Sequence, residues 1–272
     1  MQLIEVTPRD GYVWFRQGLW LFRKNPLAFL MLLFIYLMAL QLAIFIPLIG
    51  IIAALVLNPG LFVGIMTACR DVIQNRRISP TILVSAFRTG NKPAVSGLLK
   101  LGGLYALAIF ALSLIVGSLV DLRELMPVLM REAEPSAETA SILYRALLVG
   151  ALLYIPVAMS FWFAPLLVAW HGVTPVKAIF FSWIACWRNR GAFVTYGVIF
   201  GVLMVAIPFI LEAFFRAIGA AEFMSFIVTP YSLAMLTILY CSFYATYRGC
   251  FNVKPATENI SDDAQEPSPD DF

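Results

Sequence analysis

From residue 26 onward the chain alternates long apolar stretches with short polar connections. Six stretches, near 27–46, 48–69, 95–120, 142–170, 192–211 and 224–247, each hold enough apolar residues to cross a membrane. As α-helix, roughly 20 such residues span a hydrocarbon layer of ~30 Å. The expected fold is therefore all-α, with six transmembrane helices. Pro47 and Gly50 separate the first two so closely that they must form a tight antiparallel hairpin. The fourth stretch is unusually long and contains Pro156 and Pro165. Each proline removes a backbone donor and crowds the preceding turn, so both predict kinks.

A different pattern precedes the first stretch. Arg9, Arg16 and Arg23 recur every seven residues, which places them on nearly one line of a helix, with Tyr12, Trp14, Phe15, Leu19, Trp20 and Phe22 around them. This spacing predicts a short amphipathic helix in the membrane interface over 1–26, its aromatic side toward lipid and its arginine side toward water and headgroups. Asn25-Pro26 ends it, and Pro26 suits the first position of the next helix. Two later stretches carry the same device. "SPTILVSAFRTGNKP" at 79–93 places Phe87-Arg88 and Lys92-Pro93 at the mouth of the third span. "TPVKAIFFSWIACWRNRG" at 174–191 places Trp187-Arg188 and Arg190-Gly191 at the mouth of the fifth. Ser79 and Thr174 read as N-caps followed by proline.

Aligned on Phe29 and Phe193, "WLFRKNPLAF" and "CWRNRGAF" share a basic residue (Lys24, Arg188), then Asn (Asn25, Asn189), then Ala-Phe. Together with the segments before them, these matches describe a degenerate internal repeat of the parallel kind, distinct from the inverted repeats of many transporters. Aromatic and basic residues at a cytoplasmic edge are also what any multi-pass protein needs, so both accounts of the match stay open. On either account Arg9, Arg16, Trp20, Arg23, Lys24, Arg88, Lys92, Trp187, Arg188 and Arg190 are the candidate interface residues. Rings and long cationic side chains settle at headgroup depth, where binding of anionic lipid is the functional expectation.

Composition agrees with this plan. The chain has 272 residues, 61% hydrophobic and 13% charged, with a net charge of +3. The placement of that charge sets an orientation. Fifteen Lys and Arg fall in the N-terminal segment, the two connections carrying the repeated device and the C-terminal tail, against four on the other side. The positive-inside bias then puts both termini in the cytoplasm. The connection at 121–141, with five acidic residues and Pro127 and Pro135, faces outside. The first apolar run lacks a cleavage pattern and reads as an uncleaved signal anchor. The tail over 251–272 carries six acidic residues and is expected to be disordered.

Residues for chemistry are sparse. His171 is the lone histidine, at the cytoplasmic end of the fourth span, and Cys69, Cys186, Cys241 and Cys250 show no C-x-x-C spacing. The sequence contains no H-E-x-x-H, G-x-S-x-G, P-loop or G-x-G-x-x-G pattern. No catalytic residue, metal site, cofactor or nucleic-acid partner is expected. Gln41 and Asn58 are the deep amides; with Pro156 and Pro165 they would line a cavity if the chain were a small transporter or channel. Glu212 and Arg216 are spaced to pair on one helix face. "GLLKLGG" at 97–103 and "GVIFG" at 197–201 allow close helix approach, the latter suggesting a homodimer through span five.

The stretches "MQLIEV…GYVWFRQGLWLFRKNPLAFL" and "TACRDVIQNRRISP" resemble a family of small polytopic inner-membrane proteins of proteobacteria. The six-span plan with "W-x-x-F-R-x-N-P" edges is more distantly similar to YciC-like membrane proteins. The resemblance implies an inner-membrane location and this architecture, and it implies no activity or site residue. The expectation is thus a non-enzymatic inner-membrane protein acting through lipids or a membrane-protein partner, in envelope maintenance or complex assembly. The alternative is a small transporter or channel.

Overall fold

Helix α2, Pro26–Ile44, shows how the chain uses its apolar surplus. Phe29, Leu32, Leu33 and Tyr36 form a buried stripe at i, i+3, i+4 and i+7, while Leu27, Met31, Phe34 and Met38 form an exposed one. A helix apolar on both faces, with one face left open, has lipid rather than water outside it. The computed structural model describes residues 2–46, 49–88, 90–120 and 136–251. Pro47 of the expected hairpin turn, residues 121–135 of the outer connection and the acidic tail from residue 252 lie outside them. Among the described residues there is no strand, only one isolated bridge between Leu3 and Phe251.

Among the described residues, six helices or helix pairs are long and apolar enough to cross a membrane: Pro26–Ala43, Ile49–Ile73, Lys92–Leu119, Ala137–His171, Arg190–Ala217 and Met224–Cys250. Before them lies α1, Asp10–Lys24. Its start is fixed by Asp10, whose Oδ2 accepts from the Thr7 N–H and hydroxyl at 2.7 Å each. Acid in the first turn and Arg23 and Lys24 in the last both complement the helix dipole. Helix α3, Ile49–Ile73, contains Pro59. After it come a single 3-10 turn, Pro80–Val84, and the one-turn α4, Ser85–Arg88. Ser79 precedes this turn with proline at its start, but its hydroxyl meets Thr81 Oγ1 at 3.1 Å and caps no backbone group.

Helix α5, Lys92–Leu119, is capped by Asn91, which accepts from the Ala94 N–H. Helix α6, Ala137–Phe161, opens on a capping box in which Ser136 and Thr139 satisfy each other's backbone N–H. After α6 come α7, Ala164–His171, and α8, Pro175–Arg188. Gly172, in the left-handed region at φ 63°, closes α7 and turns the chain toward α8. Helix α9, Arg190–Gly201, passes through a π turn at Val202–Ala206 into α10, Ile207–Ala217. Helix α11, Met224–Cys250, ends the described chain.

The helices sort into two compact units. The first comprises Met1–Leu42, Gly60–Gly90 and Ile184–Phe272. There α1 packs chiefly on α11 and then on α9, through Gly11, Trp14, Gly18 and Leu21. A Cβ on Gly18 would lie 2.8 Å from the Ser242 Cα, and one on Gly11 2.8 Å from the Tyr196 nitrogen. Trp14, 2% exposed, lies against Phe193 and Tyr196. Gly64 likewise admits the Leu83 backbone of the 3-10 turn. The π turn has a local cause. The Ile207 N–H reaches back five residues to Val202, and the next donor in that pattern would be Pro208, which has none. The Leu203 carbonyl this strands accepts the Tyr231 hydroxyl at 2.6 Å.

The second unit comprises Ala43–Pro59 and Asn91–Trp183. Within it α5 packs on α6 and α7. Gly102 of α5 approaches the Val56 backbone, so "GLLKLGG" does serve close packing. The long fourth span breaks at the expected Pro165 and departs from expectation at Pro156. Pro156 stays inside α6, and the helix gives way only at Trp162 and Phe163. The break stands directly before Pro165, which has no N–H to continue the helix, and Ser182 of α8 fills it. Its hydroxyl accepts from the Phe163 N–H at 2.9 Å and donates to the Met159 carbonyl at 2.7 Å. It thereby occupies the place of one i→i−4 bond.

Candidate lipid-headgroup face

The outward side of α1 is set by its inward side. With Gly11, Trp14, Gly18 and Leu21 buried, the helical period puts Arg9, Arg16 and Arg23 directly opposite them. Arg9 and Arg23 are exposed and Arg16 is half-buried. The expected division of aromatics against arginines is corrected here. Trp14 and Phe15 turn into the protein, Phe15 meeting Phe200 at 5.5 Å between ring centres. Tyr12 and Trp20 stay outside among the cations. The Arg16 guanidinium lies 5.8 Å from the Tyr12 ring centre, and Lys24 Nζ 4.3 Å from that of Trp20. The physical reason is the tight bed offered by α9 and α11, where a Trp packed beside glycines buries more surface than it could against headgroups.

The second cluster surrounds Asn189, between α8 and α9. Trp187, Arg188 and Arg190 are all exposed there, and Arg190 stands 5.8 Å over the Trp187 ring. Arg188 Nε is paired with Glu5 at 2.9 Å, both side chains more than half exposed. Asn189 itself is 1% exposed. Its Oδ1 accepts from the Val6 N–H at 2.8 Å, and its Nδ2 donates to the Ile4 carbonyl at 3.0 Å and the Ala185 carbonyl at 3.1 Å. The same Nδ2 lies 3.5 Å from Cys250 Sγ. The Ile4 N–H in turn donates to the Cys250 carbonyl at 2.9 Å. One amide thus ties the N-terminal segment to the α8–α9 corner and to the end of α11. Beneath it, burial pushes the Cys186 thiol well above the ordinary cysteine range, and nearby Cys250 pushes it further.

The two halves of the repeated stretch are therefore not equivalent. Asn25 is an exposed residue closing α1, whereas Asn189 is a buried clasp. Helix α8 also differs from α1. Its outward side is Val176, Phe180 and Trp187, the first 72% exposed, with Lys177 and Arg188 along one edge. An aromatic side bordered by cations suits the boundary of acyl chains and headgroups. The remaining interface candidates are Arg88, exposed at the end of α4 in the first unit, and Lys92, exposed in the first turn of α5 in the second.

The alternative cavity residues differ in burial. Gln41 and Pro156 are exposed, Asn58 is half-buried and Pro165 is buried. A cavity of about 400 Å³ opens elsewhere, between the end of α5 and the start of α6, lined by apolar residues with Glu138 and Arg145. Glu212 and Arg216 do pair across one turn of α10. Gly197 and Gly201 of "GVIFG" meet nothing within contact distance of an added Cβ. Residues unforeseen from the sequence are Glu5, Ser182 and the buried role of Asn189. None of these left a signal in local spacing, since each acts on a residue distant in the chain.

Six apolar helices with exposed apolar faces, bordered by aromatic and cationic residues, define a multi-pass membrane protein. A protein of Burkholderia thailandensis named as a probable inner membrane protein is 47% identical over 269 residues, covering 96% of this chain and 100% of the relative. The chain belongs to that family of inner-membrane proteins. No family model matches it, and no solved structure does.

Proposed function

We propose that this inner-membrane protein works without catalysis, by holding anionic lipid headgroups on the cytoplasmic surface and offering that surface to membrane-complex assembly or envelope maintenance. The observation that carries the reading is the outer side of α1, where Arg9, Arg16 and Arg23 stand in one line beside Tyr12 and Trp20, opposite a fully packed inner side. A cation near a lipid phosphate in an anionic leaflet contributes about 1 kcal/mol. A row of them, held at fixed spacing, selects charge over mere depth. The orientation with both termini in the cytoplasm belongs to this proposal. It is supported by the distribution of Lys and Arg, and the Ile4–Cys250 hydrogen bond, which joins the two ends, supports their lying on one side.

Native mass spectrometry of protein released gently from its own membrane tests the reading. It expects anionic lipid in stoichiometric amounts, lost when Arg23, Lys24, Arg188 and Arg190 are each changed to Gln. A chain that instead retained a small solute and no lipid would overturn it in favour of transport.

A further inference from the structure

The cationic face lies at the root of a segment of opposite charge. Residues 252–272 contain Glu258, Asp262, Asp263, Glu266, Asp270 and Asp271 against Lys254 alone, a net charge of −5. Since the whole chain carries +3, the remaining 251 residues carry +8. The point of departure is fixed. Phe251 is buried and bridged to Leu3, one residue past Cys250, whose carbonyl holds Ile4 and whose sulfur lies beside Asn189. The segment therefore leaves the first unit next to Arg188 and Arg190 and a few residues from Arg9. Twenty-one residues reach at most about 70 Å, whereas Arg9 to Lys24 along α1 spans roughly 22 Å. Length does not limit contact with any cation of the face. One carboxylate of the chain already occupies this surface, since Glu5 is paired with Arg188.

We propose that the acidic segment 252–272 docks on the cationic face of α1 and the α8–α9 corner, and competes there with anionic lipid headgroups. Both occupants are rows of anions, and the same guanidinium and ammonium groups serve either. The segment is covalently present, so its effective concentration at the face is set by its tether. An anionic leaflet offers a far denser array of phosphates. The face is thus occupied by the chain's own carboxylates in a neutral bilayer and released to lipid where anionic lipid gathers. The competition rests on the headgroup reading above, whereas the docking does not.

The test uses the full chain in nanodiscs of zwitterionic lipid and a zero-length carbodiimide, which activates a carboxylate and joins it to a lysine amine as an amide. Arg16→Lys adds an amine in the middle of the face while keeping its charge. The expected result is a link within one chain between a carboxylate of 258–271 and Lys24 or the new Lys at 16, lost in anionic nanodiscs and in about 1 M salt, where screening falls to ~3 Å. Changing the six tail acids to Asn or Gln is expected to raise retained anionic lipid roughly two- to fivefold, the scale of a few exposed ion pairs. Absence of the link in zwitterionic nanodiscs overturns docking, even if lipid binds. A link with unchanged lipid retention by the neutral-tail variant overturns competition. A link in a chain that retains no anionic lipid in either form confirms docking and overturns the headgroup reading instead.

Discussion

Asn189 holds four groups from three parts of the chain in a site closed to solvent. Replacement by Leu keeps the volume but strands the Val6 N–H and the Ile4 carbonyl. Unmet buried groups cost about 1–3 kcal/mol each before relaxation. Asn189→Leu is expected to lower the thermal midpoint in detergent and to expose residues 2–6 to protease, while Asn25→Leu at the exposed position leaves both unchanged. The difference was not legible in the repeated stretch, because nothing in local spacing records that Ile4 and Val6 return to residue 189. Tyr231 is simpler. Its hydroxyl serves the carbonyl stranded by Pro208, so Tyr231→Phe should cost about 1 kcal/mol, read as a small fall in the same midpoint. Cys186 makes a third case. With the residue 3% exposed and its proton held more firmly than in a free cysteine, it should resist maleimide at pH 8 in the folded protein and react once unfolded.

Helix α1 owes its position to two glycines seven residues apart rather than to its arginines. Adding a branched side chain at Gly18 drives a Cβ into Ser242, and the helix must lift. Gly18→Val is therefore expected to destabilise the protein by about 1–3 kcal/mol and to turn Trp14 outward, visible as a red-shifted indole emission. The seven-residue recurrences of Gly11 and Gly18 and of Trp14 and Leu21 were available in the sequence, and they mark the packed side as clearly as Arg9, Arg16 and Arg23 mark the open one. The spans themselves were legible because a run of some 20 apolar residues has few other destinies. Their ends were less so. Helix α6 begins at Ala137, five residues before the apolar run suggests, because Ser136 and Thr139 cap it with Thr where Glu or Gln is usual. The break in the fourth span falls before Pro165, as the sequence suggests, while Pro156 stays inside α6; the Ser182 hydroxyl that fills it lies 19 residues downstream of Phe163 and left no local signal.

For the whole molecule, the membrane supplies the outer half of the packing. Leu27, Met31 and Phe34 on α2, and Val194, Val198 and Val205 on the fifth span, face outward as apolar side chains. The inner-membrane family accounts for that surface, and the hydropathy pattern announced it. Which cations serve headgroups could not be read from composition, since a positive edge meets the topological requirement with or without a binding face. The folded chain narrows the choice: the arginine line of α1 is backed by packed helices and flanked by rings, so its spacing is fixed. A ligand that binds only this arranged state raises stability by mass action.

The direct measurement is the thermal midpoint in nanodiscs of anionic against zwitterionic lipid, for the natural chain and for Arg9→Gln/Arg16→Gln/Arg23→Gln. The account predicts a higher midpoint in anionic lipid for the natural chain and no such gain for the triple variant, with equal midpoints for the two proteins in zwitterionic lipid. An equal gain in both proteins would contradict it, leaving the arginine line as a topological marker and no binding face.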